Sequence, residues 1–358
     1  MLYYDVIILG WWSAGLFASV FLQDKKICII DKATQLWTKL LLSWWERCNV
    51  TNNDLDLTRD YIGENIKRLP SIFHVFNNHD MIDFLASHGI ETIVEDRGRV
   101  LLKSGKAKQL RDLLVNLATA HGVEFFLEQN IVKVEHTDWI FTITTDQEIF
   151  QTKHLIVATW GKSYPQVGAT ELGYELAEQF GVRFVAPRPA LCGMETNEDV
   201  AELAGSFAQG KLSLLTGKKI IYEASWPLLF THWWLSGPVV FDASLRAAHI
   251  LRESNQDVKI QLDLDLEHTN KKIFRFFPSL EKESKLQFSL KSLRPWEEAK
   301  VSVGWVSLQE LDAHFQVKKI PGLYFIGEIL DVTGRSGWYN LQRAWSSAYV
   351  CAQGIQSL

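Results

Sequence analysis

The opening stretch Asp5-Val6-Ile7-Ile8-Leu9-Gly10-Trp11-Trp12-Ser13-Ala14-Gly15 constrains the fold more than any other part of the chain. An apolar run ending in Gly, a tight turn and a small-residue helix start is how an α/β domain presents backbone N–H groups to a pyrophosphate. Gly10 and Gly15 hold the first and third places of that G-x-G-x-x-G pattern, but the second place is Trp12, with Trp11 beside it. The second Gly normally lets the phosphate approach the backbone closely. An indole there takes the space where the anion would rest at the helix N-terminus. The scaffold reads as dinucleotide-binding, and its turn as closed to the dinucleotide.

The following residues extend the pattern. Residues 4–9 read as a buried strand, 13–22 as a helix, and Lys26-Ile27-Cys28-Ile29-Ile30-Asp31 as a second strand ending in an acid. Asp31 lies 21 residues after Gly10, where an acidic side chain takes the ribose hydroxyls of an adenine dinucleotide. Residues 79–88 and 105–121 carry helical spacing, and a β-meander is expected over 123–127, 130–136, 139–145 and 148–151. Residues 155–159 return as a strand, 170–181 as a helix, 322–328 as a last buried strand, and about 340–356 as a final helix.

This order predicts a discontinuous Rossmann-like domain, residues 1–185 and 311–358, with an inserted cap over 186–310. Gly and Pro punctuation makes 186–245 β-rich and β-barrel-like, while charge alternating around Phe and Leu suggests helices over 246–300. The chain of 358 residues carries a net charge of −5, which gives no reason to expect nucleic acid or an anionic membrane as partner. No apolar run reaches a membrane span, and the first residues carry no targeting signal, so a cytoplasmic protein is expected. Cys28, Cys48, Cys192 and Cys351 show no metal or redox spacing, and no metal site is expected. Oligomeric state is not legible. The unusual count is Trp, at 14, many of them in turn-like contexts.

Five ordered motifs carry a resemblance: the opening fingerprint; Leu41-Leu42-Ser43-Trp44-Trp45-Glu46-Arg47-Cys48-Asn49-Val50-Thr51-Asn52; Ala158-Thr159-Trp160-Gly161-Lys162-Ser163-Tyr164-Pro165; Phe230-Thr231-His232-Trp233-Trp234-Leu235-Ser236-Gly237-Pro238; and Gly327-Glu328 through Gly334-Arg335-Ser336-Gly337-Trp338-Tyr339-Asn340-Leu341-Gln342. Across nearly its whole length the chain resembles the BaiN/RdsA family of NAD(P)/FAD-dependent oxidoreductases, to which aminoacetone oxidase-like flavoproteins look related. The resemblance implies FAD as cofactor, NAD(P)H as a reductant and a small-molecule substrate. It places Gly10, Ser13, Ala14, Gly15, Asp31, Lys32, Ser43, Arg47, Asn49, Thr159, Gly161, Gly327, Glu328, Gly337, Tyr339, Asn340 and Leu341 along the cofactor, with Arg343 close behind. His232, Ser236 and Asn340 are its candidates for catalytic groups near the substrate.

The chain departs from the family where backbone must approach the cofactor. The family's three glycines after Ser43 are Trp44, Trp45 and Glu46, and Trp160, Trp234 and Trp338 stand in other Gly places, as Trp305 does in Gly304-Trp305-Val306. Trp11, Trp12, Trp44, Trp45, Glu46, Trp160, Trp234 and Trp338 form the set of site-blocking residues. Forcing an L-residue into left-handed geometry costs roughly 1–2 kcal/mol, and overpacking a filled site about 1–3 kcal/mol. Indoles turned into an empty flavin cleft would recover burial, keeping the fold while excluding the cofactor. Glu46 adds a carboxylate where the family offers a surface friendly to anions. The expected outcome is a flavoprotein scaffold with lost or weakened FAD binding and no flavoenzyme activity. Two alternatives stand beside it: a working FAD enzyme with shifted loops, and a Trp-lined binding module for a smaller planar ligand.

Overall fold

The computed structural model describes residues 1–34, 49–159, 161–163, 165, 170–225, 227–253, 257–281 and 283–358. The chain divides into two compact units. The first holds Met1–Gly161, Pro165–Val185 and Gly304–Leu358; the second holds Ala186–Val303 with Lys162 and Ser163.

The first unit is built on strands β1 (Leu2–Leu9), β2 (Ile27–Ile30), β3 (Glu124–Phe126), β4 (Ile131–Thr137), β5 (Ile140–Thr145), β6 (Ile149–Val157) and β7 (Leu323–Phe325). The sheet runs β3-β2-β1-β6-β5-β4, and β7 also pairs with β6. β1, β2, β3, β6 and β7 are parallel, whereas β4 and β5 join antiparallel. Val6–Leu9, Ile27–Ile30 and Leu155–Val157 have no exposed surface, as continuous apolar runs in a parallel sheet covered on both faces should. Expected strands 148–151 and 155–159 are in fact one strand. The first half of β6 pairs with β5 and its second half with β7, and the polar Gln151–His154 stretch hides that continuity in the sequence.

Helices α1 (Ser13–Val20), α2 (Asn78–Ser87), α3 (Ala107–Ala120), α4 (Leu172–Gln179) and, in the second unit, α5 (Pro238–Glu253) precede the terminal α6 (Gly337–Gln356). α2 opens with a reciprocal capping box between Asn77 and Asp80. Phe17 of α1 meets Trp345 of α6 at 5.1 Å between ring centroids, and Trp345 Nε1–H donates to the Val50 carbonyl at 3.1 Å.

The second unit is an eight-stranded sheet whose described pairings are antiparallel. Its order is 207–208, 228–230, 234–236, 194–196, 285–293, 258–264, 210–216 and 219–225. The helical expectation for 246–300 is corrected: α5 ends at Glu253, and Val258–Leu264 and Lys285–Leu293 are strands separated by a short helix, Lys271–Phe276. Val258, Ile260, Leu262 and Leu264 are buried at every second position, so the charge alternation there is a period-2 strand signal rather than a helical one. The chain also returns to the first unit at Gly304, earlier than residue 311, within the strand Val301–Val306. Among the described residues no helix is long and apolar enough to cross a membrane.

Trp305 ends up in the core with φ +97°, backbone that L side chains rarely adopt. Its ring stacks on Tyr174 at 3.6 Å and its buried Nε1 has no hydrogen-bond partner. Replacement of Trp305 should therefore invert the usual small-residue order. Trp305→Gly is expected to be more stable than Trp305→Ala by about 1–2 kcal/mol, read from denaturant midpoints. An Ala variant as stable as Gly would show that the left-handed backbone is not imposed at this position.

Candidate functional site

Strand register brings the candidate residues of the first unit together. Leu9 of β1 stands level with Ile30 of β2 and Val157 of β6, so the turns at Gly10, Asp31 and Ala158–Thr159 leave the sheet side by side. Gly10 N–H donates to the Ile30 carbonyl at 3.0 Å, and Ala158 N–H to the Leu9 carbonyl at 2.8 Å. This is the carboxyl edge of a parallel sheet, where α/β proteins bind ligands.

Both retained fingerprint glycines are required sterically. Gly10 has φ +95°, and a Cβ on it would lie 2.7 Å from the Ala158 oxygen; a Cβ on Gly15 would lie 2.0 Å from the Gly10 oxygen. Between them stand two indoles. Trp11 is only 4% exposed, its Nε1 is buried without a partner, and its ring stacks on Trp12 at 5.1 Å and 21°. Trp12 is the residue before α1 and offers no side-chain cap to the helix. Ser13 and Ala14 open the helix behind it.

Asp31 accepts from the N–H groups of Trp11 (3.2 Å) and Ala33 (2.8 Å), so its carboxylate ties the β1 turn to the β2 turn. Burial pushes its carboxyl above the ordinary carboxylate range, against the pull of those N–H groups and of Lys32. A cleft of about 170 Å³ remains here, lined among others by Trp12, Asp31, Lys32, Thr159, Glu171 and Glu175. Three of those six side chains are carboxylates against one lysine. Gln129, Glu171 and Glu175 were not singled out from sequence, because they come from the meander and α4 and carry no motif.

On the other side of the turn, Gly327 N–H donates to Ser347 Oγ at 3.0 Å, holding the 3-10 turn of Gly327–Ile329 that includes Glu328 against α6. Asn49 begins a short strand, Asn49–Asn52, with its Oδ1 buried and unpartnered, and Thr51 Oγ1 donates to Gln342 Oε1 at 2.6 Å. At the start of α6, Gly337 is exposed, Trp338 and Leu341 are half-buried, and Tyr339 is buried with its carbonyl accepting from the Tyr61 hydroxyl at 2.8 Å. The Asn340 side chain is engaged with the turn that leads into the helix. Its Nδ2 donates to the Gly334 and Ser336 carbonyls (2.8 and 2.9 Å) and its Oδ1 accepts from Gly334 N–H at 3.0 Å, a clamp on the turn into the helix. Arg343, which follows these residues on the helix, is 3% exposed.

Gly161 is buried, but Ser43, Trp44, Trp45, Glu46, Arg47 and Trp160 lie outside the described residues. His232, Trp234 and Ser236 belong to the second unit. His232 is exposed, and Ser236 ends the strand Trp234–Ser236. The edge of Trp234 lies close to Gly193, the Arg294 Cζ stands 4.0 Å from the Trp234 ring centroid, and Arg294 pairs with Glu195 at 2.5 Å. Among the described residues no cluster of His, Cys, Asp and Glu could hold a metal ion.

The family described as HI0933-like protein Rossmann domain matches residues 4–354. A ribosomal RNA dihydrouridine synthase of Escherichia coli is 30% identical, covering 98% of each chain. A 3-dehydro-bile acid delta(4,6)-reductase of Clostridium scindens is 24% identical, covering 97% of each. Among solved structures, a 3-ketosteroid-delta4-(5alpha)-dehydrogenase from Rhodococcus jostii shares the fold with a TM-score of 0.54 at 11% identity, over 99% of this chain and 97% of that one. A flavocytochrome c3 fumarate reductase does so with a TM-score of 0.54 at 14% identity, over 99% of this chain and 78% of that one.

The Asp31 carboxylate gives a pH test of the turn. Its folded-state pKa is raised, so its ionisation costs stability, and that cost appears as pH rises from about 4 through the raised value. The stability of Asp31→Asn relative to the parent should therefore increase between pH 4 and pH 7, by about 1 kcal/mol or more for each unit of raised pKa, in urea denaturation. A difference that is flat with pH would mean that Asp31 titrates as in the unfolded chain.

Proposed function

Because the chain belongs to the HI0933-like Rossmann family of flavoprotein oxidoreductases, we propose that it is an FAD/NAD(P)H oxidoreductase scaffold whose FAD binding is lost or greatly weakened. The observation that carries this reading is the stacked Trp11–Trp12 pair in the β1–α1 turn, with Trp12 lining what is left of the cleft. A volume of about 170 Å³ is small beside the roughly 300–1,000 Å³ of cofactor and ligand pockets. The diphosphate of FAD would need the space of Trp12 at the helix N-terminus. The residues present do not fit that group. Trp338 at the start of α6 adds a second bulky ring in a place where the resembling family has Gly.

The flavin supplies hydride chemistry to members of the family that hold it, and NAD(P)H would be the reductant of such a member. In this chain the retained residues keep the frame instead: Asp31 ties two turns, Asn340 clamps the entry to α6, and Gly327 is held by Ser347. The substrates named for the two relatives, a ribosomal RNA and a bile acid, differ in class, and neither is carried over. His232 and Ser236 remain candidates for the substrate side of a loaded enzyme. The exposed part of Trp12 in a cleft with Asp31 and Lys32 supports a second reading, a module that stacks a small planar ligand.

Flavin content decides between these readings. The purified full chain from a flavin-replete host is expected to be colourless and to take up no added FAD, read as absorbance near 450 nm and as flavin released on denaturation. Trp11→Gly with Trp12→Gly should raise FAD affinity, in step with further Trp→Gly changes at 44, 45, 160 and 338. A parent chain carrying close to one FAD would overturn the proposal in favour of a working oxidoreductase with shifted loops. Quenching of Trp fluorescence by flavin mononucleotide without FAD uptake would favour the small-ligand module.

A further inference from the structure

The tryptophans of the first unit are of two kinds. Trp345 behaves as a core tryptophan should: it is fully buried, its ring packs on Phe17 at 5.1 Å, and its Nε1–H donates to the Val50 carbonyl at 3.1 Å. Trp11, Trp305 and Trp338 are of the other kind, each with a buried Nε1 that has no partner. A buried N–H without an acceptor gives up its hydrogen bond to water with nothing to offset the loss. Trp305 also lies 3.6 Å from Tyr174 between ring centroids, inside the roughly 4.5–7 Å of ordinary aromatic pairs.

Backbone conformation separates the two kinds further. Trp305 has φ +97° directly after Gly304 at φ +106°. Trp139 has φ +66° after Asp138 at φ +50°, and these two residues are the whole connection between β4 and β5. Two-residue hairpin turns with both φ positive are of type I′, and their preferred pairs are Asn-Gly and Asp-Gly. Trp139 stands in the Gly place of such a pair. Its side chain is 67% exposed, so burial does little to offset the strained backbone.

Trp139 lies in none of the cofactor motifs, and closing a cleft gives no reason for an indole at a hairpin tip. What it shares with Trp305, and with the tryptophans in the glycine places of the motifs, is the residue that the position calls for. A replacement that follows residue type rather than location is a property of decoding. One codon, UGA, stands for tryptophan in some genetic codes and for glycine in others. We infer that the gene of this chain uses UGA for glycine, so that the protein made in its own cell carries glycine at Trp11, Trp12, Trp139, Trp305 and Trp338, while Trp345 is a true tryptophan. The consequence for the cleft rests on the reading that the indoles, rather than the rest of the scaffold, keep FAD out. Glycine in the β1–α1 turn restores the close backbone approach, and the loss of FAD then belongs to the tryptophan-bearing form alone.

The first test is the codons and the peptides. The gene should carry UGA at Trp11, Trp12, Trp139, Trp305 and Trp338 and UGG at Trp345. Mass spectrometry of the chain purified from its own cells should find glycine at those five positions and tryptophan at the last. UGG throughout, or native peptides that keep tryptophan at 139 and 305, overturns the inference. Urea unfolding of the tryptophan-bearing chain tests the backbone independently. Trp139→Gly should raise the midpoint above that of the parent and of Trp139→Ala, which keeps a Cβ on left-handed backbone, whereas Trp345→Gly should lower it sharply. A Trp139→Gly chain less stable than Trp139→Ala would also overturn the inference. Flavin content separates the two readings: if native peptides show glycine and that native chain still holds no FAD, the decoding stands and the exclusion of FAD by the indoles falls.

Discussion

Everything at the candidate site depends on one close approach, that of α1 to the turn from which it springs. The absent Cβ of Gly15 would sit 2.0 Å from the Gly10 oxygen, and that of Gly10 2.7 Å from the Ala158 oxygen. Three backbone segments, β1, α1 and the end of β6, are thereby held at a separation that no side chain permits. The sheet edge, the position of Asp31 and the start of α1 follow from it. The two indoles between these glycines leave the approach in place and take up the space beyond it. Packing is preserved, and what changes is the volume left for a ligand.

The parts most legible in the sequence are those whose signal is local. β1, α1 and β2 form one apolar βαβ run, and α3 shows its amphipathic period. The Asp31 reading combined spacing with strand context, and the structure adds that the carboxylate is already held by two N–H groups of the turns it joins. The insertion was less legible. Its strands Val258–Leu264 and Lys285–Leu293 alternate apolar with charged residues, which at a glance looks like a solvated helix until the period is counted as two.

Other features were hidden because they are tertiary. Nothing in Asn340 announces that its amide closes the turn at Gly334, since that depends on the angle at which α6 enters. The burial of Arg343 is equally silent, as a helix arginine faces water or core according to its neighbours. Trp305 shows a third kind of concealment. Its letter suggests an ordinary core aromatic, while its φ of +97° and stranded Nε1 show backbone shaped for a residue without a side chain.

The continuity of β6 has a mechanical consequence. One strand begins in the antiparallel meander, where Phe150 stands opposite Ile143, and ends in the parallel core, where Val157 stands opposite both Leu9 and Phe325. β1 holds β6 over almost all of its length, from Leu2 opposite Phe150 to Leu9 opposite Val157. Because side chains alternate along a strand, a slip of one residue between β5 and β6 would reverse the faces that β5 presents, while the β1 pairing keeps Thr159 beside the Gly10 turn. A change of loop length at Asp146–Gln147 is therefore absorbed at the outer edge of the sheet, and the cleft is insulated from it.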